Sequence, residues 1–247
     1  INKVFQAGSS GSIGNHQEYG QRFLGKRISW KQTVSNRQFL SIDCEKYPEE
    51  VQQLIDKLPE AKPKPLYGKV FKRLYAERNI VPEAELALSV EGDGRGVTNI
   101  IQHYLHNDDK PFKLVTRDLL NGLNKVFRPD SDFSEINAKK IQREKGKWEI
   151  FLSEANKGAI AQSHSGSGLK TVICVLVFLH LLPHLENRPV KNYVFAFEEL
   201  ENNMHPALQR RLLTYLMEFA LKNDCIFFLT SHSNVAIDQF STDENAQ

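Results

Sequence analysis

The stretch YVFAFEELENNMHP, Tyr193 to Pro206, ends a run of apolar residues on two consecutive carboxylates, Glu198 and Glu199. Such a run reads as a buried strand, and ligands gather at the carboxyl ends of parallel strands. Successive strand residues point to opposite sides, so adjacent glutamates there can divide a task. Glu198 can orient the hydration shell of a magnesium ion while Glu199 polarises a water that attacks a phosphate. The same residues also read as a solvated strand end, with Glu201 and Asn202 complementing the dipole of the helix that follows.

A second apolar run, in CIFFLTSHSNV, delivers Thr230, Ser231 and His232 to the next strand end. An imidazole beside the glutamates can donate to a terminal phosphate oxygen, or it can cap the segment after it. Carboxylate pair and histidine, separated by one helix, together suit phosphate chemistry.

The third candidate is AQSHSGSGLKTVICVLVFLH, Ala161 to His180, rich in serine and glycine ahead of a long apolar run. Leu169 separates Gly168 from Lys170, so the spacing is not that of a phosphate loop, whose lysine directly follows its glycine. A loop at a helix N-terminus still presents N–H groups and a positive dipole end to an anion. GQRFLGKRIS has Gly20, Gly25 and Lys26 at the nominal phosphate-loop spacing, but Arg27 replaces the magnesium-binding hydroxyl, and Phe23 and Leu24 fill a loop that must be pliant. Asp130 and Asp132 form a D-x-D pair that reads as a turn. His180 and His184 have the spacing of helical metal ligands but no third partner, and read as surface or interface histidines. The basic run Lys62 to Arg73 reads as a solvated hinge, with nucleic-acid contact as its other use.

Several elements must position these groups. Gly/Ser/Asn-rich turns with short β-like runs such as RQFLSIDC imply a small antiparallel flank over residues 1–45. Helical spacing at Val51, Leu54, Ile55 and Leu58 starts a helical arm, broken at Lys62–Pro65 and resuming through FKRLYAERN, within a helical arm and lobe over 46–125. GDGRGVTNIIQHYL predicts a glycine turn and a helix from Thr98, and a further helix begins near Thr116. Residues 126–247 then hold meandering strands, a helix over Leu169–His184, and a strand–helix–strand unit with Pro206 in the helix's first turn. The expected fold is one α/β domain.

Composition bounds the partners. The 247 residues are 40% hydrophobic, and 32 basic against 30 acidic residues leave a net charge of +2, which gives no bulk polyanion signature, so any nucleic-acid contact would have to come from a local patch. Three scattered cysteines, Cys44, Cys174 and Cys225, carry no disulfide or zinc spacing and fit a reducing, cytoplasmic setting. The longest apolar run, Val172 to Pro183, is too short to span a bilayer, so no membrane role is expected. The chain opens on Ile1, and is expected to be a piece of something longer.

SHSGSGLKT, then YVFAFEELENNMHP, then FFLTSHSNV resemble in order the signature loop, Walker B strand and switch histidine of ABC-class ATPases. The branch they resemble includes the OLD nucleases and the ATPases of anti-phage systems such as Gabija, Septu and retron-associated modules. The similarity runs from about Phe71 to Asp238, with sharp motifs only after Gln162. The resemblance implies a central sheet of P-loop NTPase type with an antiparallel β flank and a helical arm. It also implies ATP and Mg2+ as cofactors, and a homodimer or higher even oligomer around the nucleotide. A nuclease effector, fused or separate, and DNA are the further partners implied. By the same resemblance Glu198 lies near magnesium, Glu199 is the catalytic base, and His232 senses the γ-phosphate. Ser165, Gly166, Ser167, Gly168 and Lys170 then form a signature loop facing a partner's nucleotide. Two departures stand out: the loop lacks the family's leucine-serine-glycine-glycine core, and the phosphate loop is expected upstream of Ile1. A non-hydrolysing scaffold and a chromosome-maintenance ATPase are the rival readings.

Overall fold

The computed structural model describes residues 28–32, 37–42, 66, 68–84, 88–142, 146–154 and 157–241. The chain divides into two units, Ile1–Tyr67 and Gly68–Gln247. In the first, β1 (Ile28–Gln32) and β2 (Arg37–Ile42) pair antiparallel, with Ile28 opposite Ile42 and a register shift between Ser29 and Trp30. The Gly20–Lys26 spacing, the helical run at 51–58 and the hinge at Lys62–Pro65 lie outside the described residues.

The second unit begins with β3 (Val70–Leu74), where a resumed helix was expected. Val70, Lys72 and Leu74 alternate with the exposed Phe71 and Arg73, and parallel pairing with a buried neighbour strand decides what local helical spacing left ambiguous. The short β4 (Glu83–Ala84) and a glycine turn lead into α1 (Val97–His106). At its N-cap, Gly96 has φ +88, and a Cβ there would lie 1.7 Å from the Ser89 carbonyl oxygen, so only glycine fits. A π-helical segment, Leu114–Leu119, runs into α2 (Leu120–Phe127). β5 (Phe133–Lys140), β6 (Lys147–Glu154) and β7 (Gly158–Ala161) form the predicted antiparallel meander, with β4 pairing the edge of β6 away from β5, which it shares with β7. The long helix follows as α3 (Ser167–Leu176), a π-helical segment (Val177–Leu181) and α4 (Leu182–Leu185). β8 (Tyr193–Glu198), α5 (Pro206–Asn223), β9 (Ile226–Thr230) and α6 (Asn234–Ser241) complete the unit.

β8 lies between β3 and β9, and all three strands are parallel. The protein is therefore a mixed α/β structure with one parallel and one separate antiparallel sheet in this unit. Tyr193, Phe195 and Phe197 fill one face of β8 and are fully buried; Phe195 stacks on Phe227 at 5.4 Å, and Phe178 meets Phe197 edge-on at 6.2 Å. Ser167–Leu185 is long and apolar enough to cross a membrane, but Val172 to Leu179 are all buried in this core. Gly122 lets α2 approach closely: a Cβ there would lie 2.7 Å from Leu176 and 3.0 Å from the Tyr215 hydroxyl.

His180 corrects a sequence expectation. It is partly buried in the helical layer rather than a free surface residue: its Nε2 lies 2.7 Å from the Tyr215 hydroxyl, and burial pushes its pKa down to about 4. His184 is exposed, with Nδ1 2.8 Å from the Tyr104 hydroxyl. Asp130 and Asp132 sit between α2 and β5, ion-paired with Arg211 and Arg128 respectively.

Candidate functional site

The parallel register places Glu198 opposite Thr230, so β8 and β9 end at one level. Glu199, the next residue, turns away with φ +43, a left-handed conformation that costs a non-glycine residue free energy and persists only when its surroundings hold it. They hold it from both sides. The Glu199 N–H donates to the Thr230 carbonyl at 2.9 Å, closing the turn onto β9. Its own carbonyl accepts from the Asn202 N–H at 3.2 Å and from Arg78 Nη2 at 3.0 Å. The Asn202 side chain also donates to Glu199 Oε2 at 3.0 Å, while Oε1 lies 3.9 Å from His232 Nε2. That imidazole is 90% exposed, so carboxylate and histidine face a common opening to solvent.

The neighbouring acids have different surroundings. Glu198 is ion-paired with Arg73 Nε, and its other oxygen accepts from the Ala76 N–H at 3.4 Å. Glu201 accepts from the Ser231 hydroxyl and the His232 N–H, each at 2.7 Å. Burial pushes the Glu201 carboxyl up, but those bonds and that from the Ser233 N–H outweigh it and hold the group below the usual range. Glu201 thus anchors the segment carrying His232, a different task from complementing a helix dipole.

The serine- and glycine-rich loop forms a 3-10 turn, Gln162–His164, whose Gln162 carbonyl accepts from both the N–H and the hydroxyl of Ser165. Gly166 is the N-cap of α3, with no side-chain cap and open space where a Cβ would be. Ser167 opens the helix; the N–H groups of Leu169 and Lys170 return to the Gly166 carbonyl at 3.1 and 3.3 Å, which leaves those of Ser167 and Gly168 for a ligand or solvent. Gly168 is buried against the turn after Glu199: a Cβ there would meet Met204 Cγ at 3.3 Å and the Asn203 carbonyl at 3.5 Å. Lys170 turns inward, donating to Asn79 Oδ1 at 2.8 Å and to the Ser163 carbonyl at 3.0 Å. A cleft of about 540 Å³ lies between this helix start and the carboxylate turn, lined by Arg78, Asn79, Arg95, Ser167, Asn202 and Asn203 among others.

Sequence reasoning missed Arg73, Arg78 and Asn79, because FKRLYAERN was assigned to a helix. The alternation of Val70, Lys72 and Leu74 was the available signal. No group of three potential metal ligands occurs among the described residues. A magnesium ion here would draw the rest of its coordination from water and phosphate oxygens, its usual habit, with the solvent-facing carboxylates of this edge as its protein side.

A family model described as an AAA ATPase domain matches residues 24–237. No curated protein matches the chain. Among solved structures, an Smc head bound to the C-winged helix domain of ScpA is 16% identical, covering 51% of this chain and 36% of that one, with a TM-score of 0.39. A Smc head domain with an extended coiled coil from Pyrococcus furiosus, bound to the C-terminal domain of ScpA, is also 16% identical, covering 51% and 30% with a TM-score of 0.37. The SMC head domain from Thermotoga maritima is 12% identical, covering 56% and 43% with a TM-score of 0.35. The chain thus matches about a third of the length of the first two.

Proposed function

The chain belongs to the AAA ATPase domain family, and from that premise we propose that it is an ABC-class ATPase that closes as a dimer around magnesium-ATP and hydrolyses it. The observation that carries this reading is the meeting of Glu199 and His232 at adjacent strand ends, 3.9 Å apart and open to solvent. Glu199 Oε1 orients the attacking water and takes up its proton, while Asn202 on Oε2 keeps the carboxylate from rotating. His232 donates to a γ-phosphate oxygen, its backbone held by Glu201. Glu198 would hold a magnesium ion through water, because Arg73 already occupies one of its oxygens. A bound magnesium ion would supply neutralisation of the phosphate charge. Ser165, Gly166, Ser167 and Gly168 present the start of α3 to the nucleotide of a second copy, and Lys170 braces that loop from within through Asn79 and Ser163.

The resemblance to the OLD-like branch extends the proposal to biology: dimerisation controls a nuclease or other effector in anti-phage defence, with DNA as a further partner. One observation favours a second reading, a non-hydrolysing scaffold, since the ion pair with Arg73 engages Glu198.

Light scattering of the intact parent protein carrying Glu199→Gln, with and without magnesium-ATP, separates the two. The ATPase reading expects an ATP-dependent gain in assembly mass, lost when His232→Ala is added. Unchanged mass with no bound nucleotide selects the scaffold. For the defence role, cells with an intact operon carrying Glu199→Gln should lose phage resistance; wild-type resistance would refute a need for hydrolysis.

A further inference from the structure

Arg78 is the most heavily engaged side chain at this edge. Its Nε donates to the Thr171 hydroxyl in α3 at 2.9 Å. Nη1 donates to the carbonyls of Tyr75, Ala76 and Glu198 at 2.6, 3.2 and 2.8 Å, and Nη2 to that of Glu199 at 3.0 Å. A single planar group thereby joins three chain segments: the loop after β3, the turn after β8, and the helix beginning at the serine- and glycine-rich loop. None of its hydrogen-bond acceptors is a carboxylate. Burial pulls its pKa down, opposed by Cys174 and by the nearby Glu201, Glu199 and Glu198. A half-buried guanidinium bound mainly to main-chain carbonyls shapes a backbone, because those acceptors are fixed in the chain path and the rigid fork tolerates little displacement.

We infer that Arg78 is a positioning residue: it fixes the strained turn that aims Glu199 and ties that turn, through Thr171, to the helix whose start faces the nucleotide of a second copy. Arg78 shares the Glu199 turn with other restraints, among them the Asn202 side chain on Glu199 Oε2. The Glu199 N–H is bound to Thr230, and its carbonyl is shared between Asn202 and Arg78. Removing the guanidinium takes away the group that fixes the Glu198 and Glu199 carbonyls together, so the left-handed Glu199 relaxes towards ordinary backbone and its carboxylate moves with it. A shift of α3 at Thr171 passes to the Glu198–Glu199 carbonyls through the same rigid group, which links loop engagement to the hydrolytic carboxylate. The inference rests on the reading of Glu199 proposed above.

The test uses the full-length protein with Arg78→Met, Arg78→Lys, Thr171→Val and the double variant Arg78→Met/Thr171→Val. Steady-state ATP hydrolysis and amide exchange across residues 196–204 are measured, with Glu199→Gln as reference. Arg78→Met should lower kcat by about 100-fold, the cost of misplacing a reacting group by about an ångström, and leave KM for ATP within about threefold. Lysine should not restore kcat, since one ammonium cannot span the acceptors that the fork reaches. Thr171→Val should lower kcat by about fivefold, and the double variant should match Arg78→Met, because both act through one group. Amide exchange at Asn202 should quicken in Arg78→Met while α5 keeps its protection. A wild-type kcat in Arg78→Met, or a loss confined to KM or to the folded fraction, overturns the inference. If Glu199→Gln hydrolyses ATP at the wild-type rate, or the wild type does not hydrolyse it, the reading of Glu199 fails instead. The exchange arm still decides for Arg78, and unaltered protection at Asn202 would overturn its positioning role.

Discussion

Two regions of the second unit each set a histidine beside an oxygen, with opposite results. At the β8–β9 end, His232 is 90% exposed and 3.9 Å from Glu199 Oε1, in a turn whose backbone is left-handed at Glu199. In the helical layer of α2, α3 and α5, His180 is partly buried and 2.7 Å from the Tyr215 hydroxyl, and burial drives the Tyr215 pKa up. In the second region polar groups satisfy each other and complete the core. In the first, polar groups hold the backbone while the carboxylate and the imidazole stay open to solvent. Side-chain type does not separate a candidate functional histidine from one spent on packing; unspent hydrogen-bonding capacity facing solvent does.

Glu199→Gln should break the first region without touching the second. Turnover should fall at least about 100-fold, with the melting temperature within about 3 °C of wild type, as expected for a partly exposed substitution. A large loss of stability would mean that Glu199 is structural, like His180. The second region should reveal itself through pH. The His180 pKa falls from 6.5 in the unfolded chain to about 4 in the fold, so the unfolded state binds the extra proton first as pH drops. Stability should decline from about pH 6.5 to about pH 4, by on the order of 3 kcal/mol, and His180→Gln should flatten that part of a urea-midpoint profile. A profile equally steep in the variant would assign the titration elsewhere. The smallest effect expected is at Gly122. Gly122→Val overpacks the approach of α2 to Leu176 and Tyr215 and should cost about 1–3 kcal/mol, while turnover per folded molecule stays at the wild-type value. Slower turnover would show that the two regions are coupled.

Much of this was legible along the chain. Tyr193 to Phe197 announced a buried strand because a continuous apolar run bounded by polar residues has few other uses, and Glu198, Glu199 and His232 followed as groups at strand ends. Pro206 marked the first turn of α5, and the meander of β5 to β7 followed from its spacing. β3 was misread because five residues hold too short a stretch of period to exclude a helix, and its parallel neighbour lies more than a hundred residues away. His180 was misread because a histidine in an apolar run says nothing of which partner the fold will bring to it.

The sequence by itself determined the class of structure, the strands that end in carboxylates and in a histidine, and the absence of a phosphate-loop spacing at Gly168–Lys170, since these depend on local composition and order. The tertiary structure alone decided that Glu199 turns left-handed, that Arg73 ion-pairs with Glu198, and that Arg78 binds the turn to α3. The physical reason is range. A strand or a helix is written in neighbouring residues, but the hydrogen bonds of Arg78 join groups up to 121 residues apart, and only the folded chain brings them within reach.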